Sequence, residues 1–66
     1  MHYSLIWISD ARQIEHRVAQ TPAAVLKIIR KEHLAKRKGV RIITPNAKLT
    51  DPTTFRKEQK HVQKND

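Results

Sequence analysis

Apolar side chains crowd first into Tyr3–Ile8, YSLIWI, a run rich in aromatic and β-branched residues that stops at Ser9-Asp10. That composition and that stop predict a short strand. Behind it, Ala11, Ile14 and Val18 recur at helical spacing, and Asp10 followed by Gln13 has the form of a capping box. Residues 10–19 are therefore expected to form a short helix. Thr21 offers a hydroxyl as a cap, and Pro22 suits the first helical position, where its missing N–H is no loss. A second helix is expected from Pro22, after a gap of only two or three residues. Two helices joined so tightly must cross at an angle, which is the helix-turn-helix geometry.

Stepping 100° per residue along the second helix separates two faces. Ala24, Val25, Leu26, Ile28 and Ile29 gather on one side; Ala23, Lys27, Arg30, Lys31 and Lys38 gather on the other, with Leu34 among them. Two lengths fit this helix. It stops near Glu32-His33, or it runs to Lys38 with Gly39 as a left-handed cap and residues 36–38 at the negative end of the dipole. Residues 40–44, VRIIT, read as a strand ended by Pro45-Asn46 and the natural partner of residues 5–8. A lone pair of strands is marginal in water, so this sheet must pack on Ile14, Val18, Val25 and Ile29. Asp51-Pro52 repeats the cap-plus-proline signal and predicts a third helix through about His61, anchored by Phe55 and Val62. The last few residues are expected to fray. No internal repeat is visible.

The expected fold class is α+β, a small helix-turn-helix, winged-helix-like domain with two helices, a two-stranded sheet and a C-terminal third helix. Residues 1–45 would hold the helix-turn-helix core with its flanking strands. Residues 46–66 would be a linker and C-terminal helix or tail of the same domain. Sixty-six residues give one small core at most. The chain has no cysteine, so neither a disulfide nor a thiolate zinc site can reinforce it. Some stability is then expected from pairing with another copy or a partner.

Charge changes the picture more than size does. The net charge is +8, from 14 Lys and Arg against 6 Asp and Glu. Arg12 and Arg17 cancel Asp10 and Glu15 in the first third. In residues 21–41, Lys27, Arg30, Lys31, Lys36, Arg37, Lys38 and Arg41 face Glu32 alone. Cations gathered on one element repel each other, and a bound phosphate backbone is the economical counter-charge. No segment approaches the roughly 20 apolar residues of a membrane span. A basic amphipathic helix on a bilayer would carry several large residues such as Trp, Phe or Leu on its apolar face, whereas this one is mostly Val, Ile and Ala. The expected location is the cytoplasm, associated with the nucleoid.

Catalytic chemistry has little to stand on. His2, His16, His33 and His61 lack a metal-ligand spacing, one glycine makes no phosphate-cradling loop, and Ser4 and Ser9 have no base assigned by any motif. The expectation is a non-enzymatic protein without cofactor or metal. Single-strand and loop-RNA binders use exposed aromatics as stacking platforms, and Tyr3 and Trp7 on one short strand read better as core. A helix with Ala23 near its start and longer cations behind it suits a major groove.

The stretch IEHRVAQTPAAVLKIIRKEHL, residues 14–34, resembles the small winged-helix DNA-binding domains of the excisionase and MerR type. Val18, Thr21, Val25, Ile28, Ile29 and Leu34 take the places of their spaced apolar and turn residues, and KRKGVRIITP resembles their basic wing. The resemblance implies an accessory factor of a phage or mobile element that binds duplex DNA in tandem and regulates recombination or transcription. In that frame Ala23, Ala24, Lys27 and Arg30 would read the major groove, and Thr21 would donate to phosphate. Lys31, Lys36, Arg37, Lys38 and Arg41 would hold phosphates or enter the minor groove, and Arg12 and Arg17 would straddle the flanking backbone. The alternative is a small interaction or inhibitor protein whose basic face docks on an acidic protein partner, with RNA as a variant of the first reading.

Overall fold

The computed structural model describes the backbone of residues 1–65 and the side chains of residues 1–59. Strand β1, Tyr3–Ile8, has the expected bounds, but the next element is a second strand, β2, Ile14–Ala19. The expected first helix is absent for a simple reason. Ile14 and Val18 lie four residues apart, a spacing that fits one face of a helix and also one face of a strand. In a strand they share one face with His16 while Glu15, Arg17 and Ala19 take the other, and β-branched Ile and Val tip the choice toward the sheet. Asp10 and Gln13 do not make a capping box either. They sit in a hairpin connection, residues 9–13, in which Arg12 is left-handed at φ 61°. In it the Ser9 N–H donates to Gln13 O (2.8 Å) and the Arg12 N–H to Ser9 O (2.9 Å).

Helix α1, Pro22–Lys31, starts as its sequence dictates: the Ala24 N–H donates to Thr21 Oγ1 at 3.1 Å, and Pro22 fills the first turn. Of the two lengths that fit, the shorter is found. The Glu32 N–H closes on Ile28 O, His33 turns left-handed at φ 58°, and a 3-10 turn over Leu34–Lys36 follows. The break swings Leu34 away from the cations and into the core, where it is fully buried. Gly39 is left-handed at φ 78°, but it serves the loop into the next strand rather than a helix end.

Strand β3, Arg41–Ile43, pairs antiparallel with β1 as expected, with Leu5 opposite Ile42. The short β4, Leu49–Thr50, then pairs with β3, where the sequence suggested only linker. The sheet thus has four strands in the order β2-β1-β3-β4, against the two expected. Helix α2, Pro52–Asn65, is the expected third helix; with residues 14–19 in the sheet, the described residues hold two α-helices. Val62, its second expected anchor, lies outside the described side chains, as does any fraying of the last residues.

Both helices cover one face of the sheet. Leu5 and Trp7 from β1, Ala19 from β2 and Ile42 from β3 meet Val25 and Ile29 of α1 and Phe55 of α2, with Leu34 and Val40 closing the edges. The expected partners Val25 and Ile29 are in this core, whereas Ile14 and Val18 lie on the opposite, open face of the sheet. Trp7 is buried, and Tyr3 meets Phe55 edge to face with ring centroids 5.8 Å apart. The result is a two-layer α+β domain. Without a helix ahead of α1, the described residues contain no helix-turn-helix.

Candidate nucleic-acid interface

The break after α1 builds a concave feature. Left-handed His33 and the 3-10 turn fold the chain back beside the start of α2, leaving a groove of about 650 Å³. Leu26, Ile29 and Ala35 form its apolar floor. Arg30, His33 and Lys36 line one wall; Thr53, Arg56 and Lys57, in the first turns of α2, line the other. No carboxylate lines it. Lys27 and Lys31 extend the same positive surface along the exposed face of α1.

Four carboxylates are engaged away from this groove. Asp10 binds Arg37 (3.1 Å), and Glu15 and Glu32 approach Arg17 at 3.4 and 3.8 Å. Asp51 caps α2, its Oδ1 accepting from the Thr54 N–H at 2.7 Å. That hydrogen bond, reinforced by the Thr54 hydroxyl and by Arg41, holds the Asp51 carboxyl below its ordinary pKa of 3.8. Among the described residues, Lys27, Arg30, Lys31, Lys36, Arg56 and Lys57 have no ion-pair partner. The described residues contain no cluster of His, Asp and Glu that could hold a metal.

The residues singled out from sequence divide into three groups. Lys27, Arg30, Lys31 and Lys36 stand together on the helix side, free and exposed, and Ala23 is exposed beside them; Lys38 is exposed farther along the loop. A second group is already engaged within the fold. Arg17 lies on the helix side of β2, 5.4 Å from the centre of the Trp7 ring, and not on the outside of a helix. Arg37 donates to Ile8 O and Asp10 Oδ1, both at 3.1 Å, and so clamps the 3-10 turn to the first hairpin. The Thr21 hydroxyl oxygen caps α1, and Ala24 packs against the core rather than facing a ligand. The third group is elsewhere: Arg12 is at the hairpin tip, and Arg41 projects from the sheet face opposite the helices.

His33, Arg56 and Lys57 belong to the groove and were not singled out. A signal for the last two exists in the sequence: they follow directly after the anchor Phe55, as Arg30 follows the buried Ile29, and so flank the buried stripe of their helix. No family model, no curated protein and no solved structure matches the chain.

Proposed function

We propose that the protein binds double-stranded DNA through the basic groove between α1, the 3-10 turn and α2. One observation carries this reading: six unpaired cations from two helices and the turn between them line and flank one concavity that holds no carboxylate. Phosphate is the complementary ligand, and a regular double row of phosphates matches a rigid double wall of cations. Trp7 and Phe55 are buried and Tyr3 is packed against Phe55, so among the described aromatics none is a free stacking platform for a single strand. Lys27, Arg30 and Ala23, on the outer face of α1, are the groups that reach base edges; Lys31, Lys36, Arg56 and Lys57 hold the backbone.

The biological role proposed is the accessory one implied by the excisionase and MerR resemblance, regulation at DNA sites by a small non-enzymatic protein. It rests here on the basic groove and not on a helix-turn-helix. That Phe55 is tucked into the core also favours this reading over an adaptor that holds its last helix free for a partner.

Fluorescence anisotropy with a labelled duplex, a single strand and a structured RNA tests it. Six phosphate contacts predict duplex preference and a loss of roughly 10³-fold in affinity between about 50 and 200 mM salt. Binding that ignores salt, or weak binding to all three, would assign the groove to an acidic protein instead.

A further inference from the structure

The face of the sheet away from the helices is apolar, and none of the described residues covers it. Strand β1 is hydrophobic on both sides: Leu5 and Trp7 enter the core, while Ile6 and Ile8 point the other way. Strands that read this way are ordinarily buried on both faces, whereas a solvated antiparallel face alternates with polar residues. Here Ile8 stands opposite Ile14, Val18 opposite Ser4, and Ile43 opposite Leu49. These five aliphatic side chains are exposed by amounts from 36% at Ile43 to 78% at Ile14. Together they present on the order of 500 Å² of apolar surface, the scale at which a patch marks an interaction site.

We propose that two copies of this chain pack sheet to sheet through this face. Three observations select a second copy as the occupant. First, all five side chains are aliphatic and all but Leu49 are β-branched, which suits interdigitation with another sheet about 10 Å away. Second, the patch together with its polar rim, Ser4, His16 and Arg41, approaches the ~800 Å² per partner that a stable dimer buries. Third, the charge is placed for it. The free cations of the groove lie on the far side of each sheet, so stacking leaves them on the two outer faces. They are then separated by far more than the ~8 Å Debye length of physiological salt, and Arg41 has Asp51 beside it. The same pairing supplies the burial that a cysteine-free chain of this size lacks.

The dimer stands independently of DNA binding, but its consequence rests on the function proposed above. Two grooves facing opposite ways would bridge two duplex segments, in contrast to a dimer that lays both binding helices along one side of a single duplex.

Sedimentation equilibrium without nucleic acid, from about 1 to 500 µM, tests the dimer. The expected result is a mass rising to twice the chain mass of 7.7 kDa, at least as strongly at 500 mM salt as at 50 mM. The double variant Ile14→Glu/Leu49→Glu should return the mass to that of one chain with its circular dichroism unchanged. If that variant does not fold, Ile14→Thr/Leu49→Thr keeps strand-forming residues and should weaken association at least tenfold. A wild-type chain that stays monomeric throughout, or a dimer indifferent to the threonine substitutions, overturns the proposal. Because salt weakens phosphate binding and not apolar packing, a failure here is distinct from a failure of the DNA reading.

Discussion

The molecule is built twice. Its first half is a hairpin and a helix, β1-β2-α1, and its second is a hairpin and a helix, β3-β4-α2; β1 and β3 join them side by side at the centre of the sheet. The hairpin connections share three hydrogen bonds. Thr44 donates its N–H to Lys48 O and accepts from the Ala47 N–H, as Ser9 does with Gln13 and Arg12. The Thr44 hydroxyl accepts from the Lys48 N–H (3.0 Å) as the Ser9 hydroxyl accepts from that of Gln13 (3.3 Å), and Ala47 is left-handed like Arg12. Each helix then opens with a capping side chain, a proline, and a buried residue four positions after the cap: Thr21, Pro22 and Val25, or Asp51, Pro52 and Phe55.

What differs is how the halves are held. The first has six-residue strands and a helix with a broad apolar face. The second has strands of three and two residues, and Phe55 is the anchor of its helix among the described side chains. A two-residue hairpin arm cannot stand alone, so the second half borrows its stability from the first through the β1–β3 ladder and through Phe55. The groove depends on that loan, because one of its walls is α2.

Phe55→Ala attacks the difference most directly. It should cost about 3–5 kcal/mol, a large part of the total for a domain of this size, and be read as a fall in the urea midpoint. A loss under about 1 kcal/mol would mean α2 is not held by this contact. Removing one groove cation from each half, Arg30→Ala with Arg56→Ala, should lower the slope of log affinity against log salt by about 1.8 for the pair, while stability changes little. If only the Arg30 change matters, the second half is a scaffold and not a wall of the site.

The two caps should part company with pH. Thr21→Ala should cost about 1 kcal/mol at any pH. The Asp51 cap acts through a carboxylate whose folded pKa is lowered, so its contribution is full above the ordinary value near 3.8 and is lost as pH falls through the lower folded value. Chemical shifts of the Thr54 amide, followed from pH 6 to 2, should show that titration, and Asp51→Asn should abolish it. The smallest effect is expected at the turns. Ala47→Gly and Arg12→Gly relieve a left-handed residue that carries a Cβ and should each raise stability by about 0.5–1 kcal/mol, part of the local strain being returned as unfolded-chain entropy.

Little of this duplication shows in the letters of the chain. Strands β1 and β3, their pairing, both caps, the two faces of α1 and the anchoring role of Phe55 follow from local chemistry that nothing else overrides. Strand β2 is hidden in the sequence because Ile14 and Val18 satisfy two periods at once, and because Asp10 and Gln13 suit a cap as well as a turn. β4 is too short to carry a pattern. The end of α1 rests on His33 adopting a conformation usually left to glycine or asparagine, so neither the burial of Leu34 nor the shape of the groove was legible. Of the site, the cations of α1 and Lys36 could be read from charge. Arg56 and Lys57 join them only through the packing of α2, a non-local event.

The most direct measurement is an NMR titration of the 15N-labelled protein with a short DNA duplex at low salt. Amide shifts are expected to concentrate at Lys27, Arg30, His33, Lys36, Arg56 and Lys57, with the open sheet face around Ile8, Ile14 and Leu49 silent. Shifts confined to the sheet face, or no shifts with any duplex, would contradict binding through the groove.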